Sequence, residues 1–236
     1  MSSGDLLVLL LLAALTYALH RRRTATGPGA SATDRARRLR TWPVRLAELL
    51  GVRTVAGQQA HRYAAGAAGE RAVAAALRPL ERQGWTLLHD RALPAGRANL
   101  DLLAISPRGT VAVVDAKKWS ARLPVTVAGG RLVHGRHDVT ARLDGLRHEA
   151  AVVTQHLGVR ARAVVVLDGP ALHDHLGRAA AFVVLDGITL TTRANAVQVL
   201  AHLDNQNPAR RSPQAARQLA ARAADLFPPH TARRPR

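Results

Sequence analysis

Apolar residues recur along this chain in one unbroken run and in two periods, and each pattern predicts a different element. Residues 6–19 read LLVLLLLAALTYAL without a charge, and His20 and Arg21-Arg22-Arg23 follow. Across 58–83, alanine and leucine return at helical spacing, with Val73, Leu77 and Leu80 on one stripe. WTLLH at 85–89, just after Gly84, reads as a strand. Residues 99–106 and 110–117 read as two more, separated by Pro107-Arg108-Gly109. Residues 125–127 and 131–133 flank Gly129-Gly130 as a small hairpin, and 141–157 is helical up to Gly158. Continuous apolar runs at 163–167 and 181–185 predict strands buried on both faces, and 194–203 predicts a closing helix. The sum is an α/β fold, α-β-β-β-α-β around a mixed sheet, preceded by a short N-terminal hydrophobic helix.

The 14-residue run at 6–19 is short for the ~20 residues that span a bilayer. Met1 to Asp5 lacks the cations of a signal peptide, no convincing A-x-A site follows, and the run has no polar face for lying in the membrane plane. A short anchor accommodated by bilayer thinning is the expectation, with a buried helix as the alternative. Arg21–Arg23 then predict a single-pass protein in the cell membrane with its bulk on the cytoplasmic side. The division expected is an anchor over 1–20, a basic juxtamembrane linker over 21–57, a domain over 58–205 and a basic tail over 206–236. A short helix at 43–50 ended by Gly51 falls in the linker, and an Ala-rich helix at 210–226 in the tail.

Charge sharpens this division. The net charge is +18, with nine basic against three acidic residues in 1–60, 18 against 12 in 61–205 and seven against one in 206–236. Such an excess favours polyanions, nucleic acid or acidic lipid, without choosing between them. Cysteine is absent, which excludes disulfide scaffolds, thiolate zinc sites and cysteine nucleophiles. Aromatics at 3% leave little for base-stacking platforms. In a chain otherwise reliant on arginine, the only lysines are the neighbours Lys117 and Lys118.

The hairpin at 107–109 carries the candidate chemistry. A three-residue loop with glycine last is a favoured connection. If Ser106 and Thr110 close it, Leu103 opposes Val113 and Asp101 opposes Asp115. Alternation puts both carboxylates on one apolar face about 5 Å apart at Cβ, with Lys117 on the same side. Two such acids repel unless a proton or a cation lies between them, and an all-oxygen set suits Mg²⁺. Lys117 would orient a water or stabilise charge on a phosphate. The plainer alternative is a surface hairpin whose Asp115–Lys117 pair is an ordinary weak ion pair. Glu70 precedes Val73, Leu77 and Leu80 by three, seven and ten residues, so it lies on the buried stripe and needs a partner. Its alternative is an acid near a helix N-terminus. His173, His175, His134 and His137 read as surface or loop residues, and Asp168-Gly169-Pro170 and Asp186-Gly187 as turns.

Gly69-Glu70-Arg71, WTLLHD at 85–90, NLDLL at 99–103, SPRG at 106–109 and VVDAKKWS at 113–120 together resemble the NERD (nuclease-related) domain. That family is similar to the PD-(D/E)XK restriction-endonuclease-like superfamily, and the resemblance covers roughly 62–168. It implies a restriction-endonuclease-like core, a divalent metal (Mg²⁺ or Mn²⁺) and hydrolysis of DNA or RNA phosphodiesters. Carried over by position, Asp101 takes the central aspartate role, Asp115 the acid and Lys117 the lysine of (D/E)XK, and Glu70 the acid of the first helix. Asp101, Asp115 and Glu70 are then the metal ligands. Two departures stand out. Asp115 is shorter than the glutamate common in the superfamily, and a frequent glutamine of the next helix is displaced, Gln155 coming a turn or more after Leu146–Ala150, so that its role is altered or passes to His148 or Glu149.

The leading expectation is a membrane-anchored, metal-dependent nuclease, with Arg97, Arg122, Arg131 and Arg136 as phosphate contacts. The alternatives are a catalytically inert nucleic-acid-binding module at the membrane and an interaction scaffold driven by the basic tails.

Overall fold

The computed structural model describes residues 27–94 and 98–230. The apolar run at 6–19, Arg21–Arg23, Arg97 and the last residues, 231–236, lie outside the described residues. Among those described, no helix is long and apolar enough to cross a membrane.

Three helices lead in: α1 (Ala30–Leu39), α2 (Trp42–Leu49) and the long α3 (Val55–Arg82). Thr54 caps α3 by accepting from the Gly57 N–H at 3.0 Å, satisfying one of the free donors of the first turn. Strands β1 (Thr86–Ala92), β2 (Asn99–Ile105) and β3 (Val111–Lys118) follow, then a small set of β4 (Val125–Ala128), β5 (Arg131–His134) and β6 (His137–Asp138). A 3₁₀ turn at Thr140–Leu143 leads into α4 (Asp144–Leu157), which Gly158 ends, and then β7 (Ala161–Asp168). The chain closes with β8 (Leu172–His173), β9 (Phe182–Leu185), β10 (Ile188–Thr192), α5 (Ala196–Asn205) and α6 (Pro213–Leu226).

The main sheet runs β1-β2-β3-β7-β10-β9, antiparallel across β1-β2-β3, parallel across β3-β7-β10 and antiparallel again at β9. The mixed sheet and the α-β-β-β-α-β order match expectation. Pairs Leu102–Val114, Leu103–Val113, Ala104–Ala112 and Ile105–Val111 give the expected hairpin register. Gly109, at φ 83°, supplies the positive φ that its loop requires. Buried Asp204 of α5 pins this turn, accepting from Ser106 Oγ at 2.5 Å and Thr110 Oγ1 at 2.8 Å.

Helices cover both faces of the sheet. Leu103, Ile105, Val111, Val113 and Val165 face Leu146, Ala150 and Val153 of α4 and Leu219, Ala220 and Ala223 of α6. Leu102, Ala104, Ala112, Val114 and Val164 face Val73, Leu77 and Leu80 of α3 and Val199, Leu200 and Leu203 of α5. β7, central in the sheet, is buried on both faces as its apolar run predicts.

Three expectations change. The run at 181–185 forms the edge strand β9, with Phe182 and Val184 exposed. The strand inside it is β10, ITLTT, whose three threonines hid it from an apolar count. The stretch from 206 does not stay a tail, because α6 buries Leu219 and Ala223, and Phe227 is 0% exposed. The stretch 21–57 likewise joins the domain in part: α1 packs on α3, and the Ser31 N–H donates to Asp90 Oδ2 at 2.8 Å. Gly69 lets α3 approach the sheet, since a Cβ there would stand 2.8 Å from that of Lys118.

Candidate active site

The β2–β3 ladder ends at Leu102–Val114, while β2 stays paired with β1 and β3 with β7 beyond it. Asp101 and Asp115 come next on the face of Leu103 and Val113. With no ladder partner from β2, the Ala116 N–H donates to Asp101 Oδ2 at 3.0 Å. Two residues on, Lys117 Nζ lies 2.5 Å from Asp115 Oδ2, with these side chains 25% and 14% exposed. Asp101, Asp115 and Lys117 line one cleft of about 330 Å³ with Asn99, Arg35 of α1, Arg142 and Glu149 of α4. The Arg142 guanidinium lies 5.7 Å over the Trp119 ring, which itself stacks on His134 at 5.4 Å.

Lys118 points elsewhere. Its Nζ meets Asp168 Oδ2 at 2.7 Å, and Arg193 holds Asp168 Oδ1 at 2.7 Å. Asp168 is thus a buried anchor at the end of β7 as well as a turn residue. Only one of the two lysines belongs to the cleft.

The structure brings three of the four expected site residues into the cleft. Glu70 stands on α3 outside the lining, close enough for its charge to act on Asp101. Its Oε2 is buried with no hydrogen-bond partner. Burial, then the charges of Asp90 and Asp115, push the Glu70 carboxyl up to about 7 against the Gly29 N–H and Arg71. Burial, then Asp115, Glu70 and Glu149, raise Asp101 well above the usual carboxylate range, with the Ala116 N–H opposing. Glu149 is pushed up to about 8 by burial and then by Asp115, and Lys117 pulls it down. Each of these acids resists ionising first because it is buried and then because its neighbours are acids too.

This donor set fits a hard divalent cation. It is all oxygen, from Asp101, Asp115 and Glu149 in one cleft, and the Oε2 of nearby Glu70, outside the lining, is buried without a partner. Among the described residues, no group of three or more His, Asp or Glu side chains is placed to hold a metal ion. Mg²⁺ does not need one, because it keeps several waters and takes one or two carboxylates.

Sequence reasoning reached Glu149 only as one of two stand-ins for a displaced glutamine; the cleft takes Glu149 and leaves out His148. A signal was there: Leu146, Ala150, Val153 and Leu157 form the buried stripe of α4, and Glu149 sits at its edge. Arg35 and Arg142 carried no local signal, because the fold brings them to the cleft from elsewhere. Arg122, Arg131 and Arg136 do not line it, and Arg131 pairs instead with Asp138 at 3.7 Å.

The family model for the nuclease-related domain, NERD, matches residues 65–167. The match runs from within α3 to β7, covers Glu70, Asp101, Asp115, Lys117, Arg142 and Glu149, and leaves out Arg35. No curated protein and no solved structure matches the chain.

Proposed function

From a chain that carries a nuclease-related domain at 65–167, we propose metal-dependent hydrolysis of nucleic-acid phosphodiester bonds in the cleft. The observation behind this reading is the crowding of Asp101, Asp115 and Glu149 around Lys117 in a solvent-open cleft, with Glu70 adding charge from behind. Asp101 and Asp115, supported by Glu70, would hold Mg²⁺ or Mn²⁺. The bound ion would polarise a phosphoryl oxygen and lower the pKa of a water.

The protein's own groups do the rest. The Ala116 N–H fixes the Asp101 carboxylate, so the acid is oriented before any ligand arrives. Contact with Asp115 directs the Lys117 ammonium, which orients the attacking water and stabilises charge developing on the phosphate. Glu149, pushed up to about 8 by burial and then by Asp115 in the metal-free cleft, would give a proton to the leaving oxygen. Arg35 and Arg142 seat flanking phosphates at the rim. We further assign the domain to the cytoplasmic side of a membrane, a reading supported by the apolar run at 6–19 and Arg21–Arg23.

Purified full-length protein with Mg²⁺ should degrade DNA or RNA, and Asp115→Ala should lose at least about 10²-fold of that rate. Equal rates would reject the site. Salt-sensitive binding without turnover in the wild type would favour the inert nucleic-acid-binding module.

A further inference from the structure

We propose that α2 and the arginine-lined cavity beside it form a docking site for anionic phospholipid, separate from the segment at 6–19 and from the chemistry of the cleft. Trp42, Leu46, Leu49 and Leu50 fall at offsets of zero, four, seven and eight, which puts them on one side of α2. They are 75%, 46%, 82% and 70% exposed, and Val52 and Val55 extend the patch at 56% and 74%. The opposite side of α2, through Val44 and Glu48, packs against Gly57 of α3. So much exposed apolar surface on an eight-residue helix marks a contact surface.

A cavity of about 250 Å³ opens between α1, α2 and α3, with Thr33, Arg37, Arg40, Arg45 and Arg71 above an alanine floor. Arg71 Nη1 donates to Thr33 Oγ1 at 3.3 Å. Arg40 Nε is buried with no hydrogen-bond partner, 3.8 Å from Glu48 Oε1. Arg37 and Arg45 have no ion-pair partner among the described residues. Residues 35–60 hold six arginines and one acid, Glu48.

The site therefore asks for an anion and an apolar body side by side. A nucleic-acid backbone would satisfy the arginines and leave Trp42 and Leu49 in water. A second copy would cover the stripe but bring like charges together. A phospholipid surface meets both demands, with headgroup phosphate in the cavity and acyl boundary under the stripe. A tryptophan at the headgroup level suits this arrangement.

The test uses the full chain with vesicles of phosphatidylglycerol that carry brominated acyl chains, and reads tryptophan fluorescence. The only other tryptophans are Trp85, which is buried, and Trp119, which stacks on His134. The segment at 6–19 contains none. Wild type should be quenched, Trp42→Phe should lose most of that quenching, and phosphatidylcholine vesicles should not quench Trp42. Arg37→Ala/Arg45→Ala should need about thirtyfold more anionic lipid for half-maximal quenching. Equal quenching of wild type and Trp42→Phe, or unchanged lipid dependence in the double arginine variant, would overturn the proposal. Burial of Trp42 that rises with protein concentration without lipid would assign the stripe to self-association. Oligonucleotide binding lost in the arginine variant, with Trp42 unquenched by vesicles, would assign the cavity to nucleic acid.

Discussion

The Ala116 backbone N–H donates to Asp101 Oδ2 at 3.0 Å, so a side chain of β2 holds a backbone donor of β3 just past the last ladder pair, Leu102–Val114. The bond orients a buried acid among other acids. Asn in its place keeps an oxygen for the Ala116 N–H while removing the charge. Asp101→Asn should therefore raise the metal-free melting temperature by about 2–4 °C, corresponding to about 1 kcal/mol. It should also abolish stabilisation by Mg²⁺. Thermal melts with chelator and with excess Mg²⁺ read both effects, and a variant still stabilised by Mg²⁺ would place the ion elsewhere.

The adjacent lysines should separate cleanly. Lys117 contacts Asp115 in the cleft, whereas Lys118 bonds Asp168, which keeps Arg193 at 2.7 Å if that lysine is lost. Lys117→Ala should lower kcat by about 10²–10³-fold, the range for removing a group that stabilises developing charge. Lys118→Ala should leave kcat within a few-fold of wild type. Steady-state rates on one substrate decide, and equal losses would mean that the pair acts only by holding the strand end.

Acidity gives a third test. Glu70 and Glu149 sit at about 7 and about 8, against an ordinary 4.5. Between those values the folded protein holds protons that the unfolded chain has released. Their contribution to stability is thus complete below pH 4.5 and disappears as pH rises through 7 and 8. Metal-free melting temperature should fall across that window, and Mg²⁺ should counter the fall because it favours the ionised acids. Metal-free stability that climbs with pH across the window would show that these acids are not held protonated by the fold.

The hairpin was legible because its determinants are local. Pro107-Arg108-Gly109 sets the turn, the turn sets the register, and alternation then places Asp101, Asp115 and Lys117 together. Arg35 and Arg142 were not legible, since only tertiary packing carries α1 and the 3₁₀ turn to the cleft. Composition misled at two places. The threonines of β10 masked an inner strand that pairs with β7, and the alanines and arginines of 210–226, legible as a helix, hid that its Leu219 and Ala223 are buried in the core.

That last helix can be tested by stability alone. Phe227, 0% exposed, follows α6 in the cluster that includes Leu103 and Val113. Phe227→Ala should destabilise the protein by about 3–5 kcal/mol through lost burial and the cavity left behind. The urea midpoint measures this, and an unchanged midpoint would return the segment to a tail.

The most direct measurement is anomalous scattering from crystals of the full-length protein soaked in Mn²⁺. The account expects a peak in the cleft, within ordinary coordination distance of Asp101 and Asp115 oxygens, that Asp101→Asn removes. Well-ordered crystals with no peak there, or with manganese bound only at other acids, would contradict the metal-dependent site.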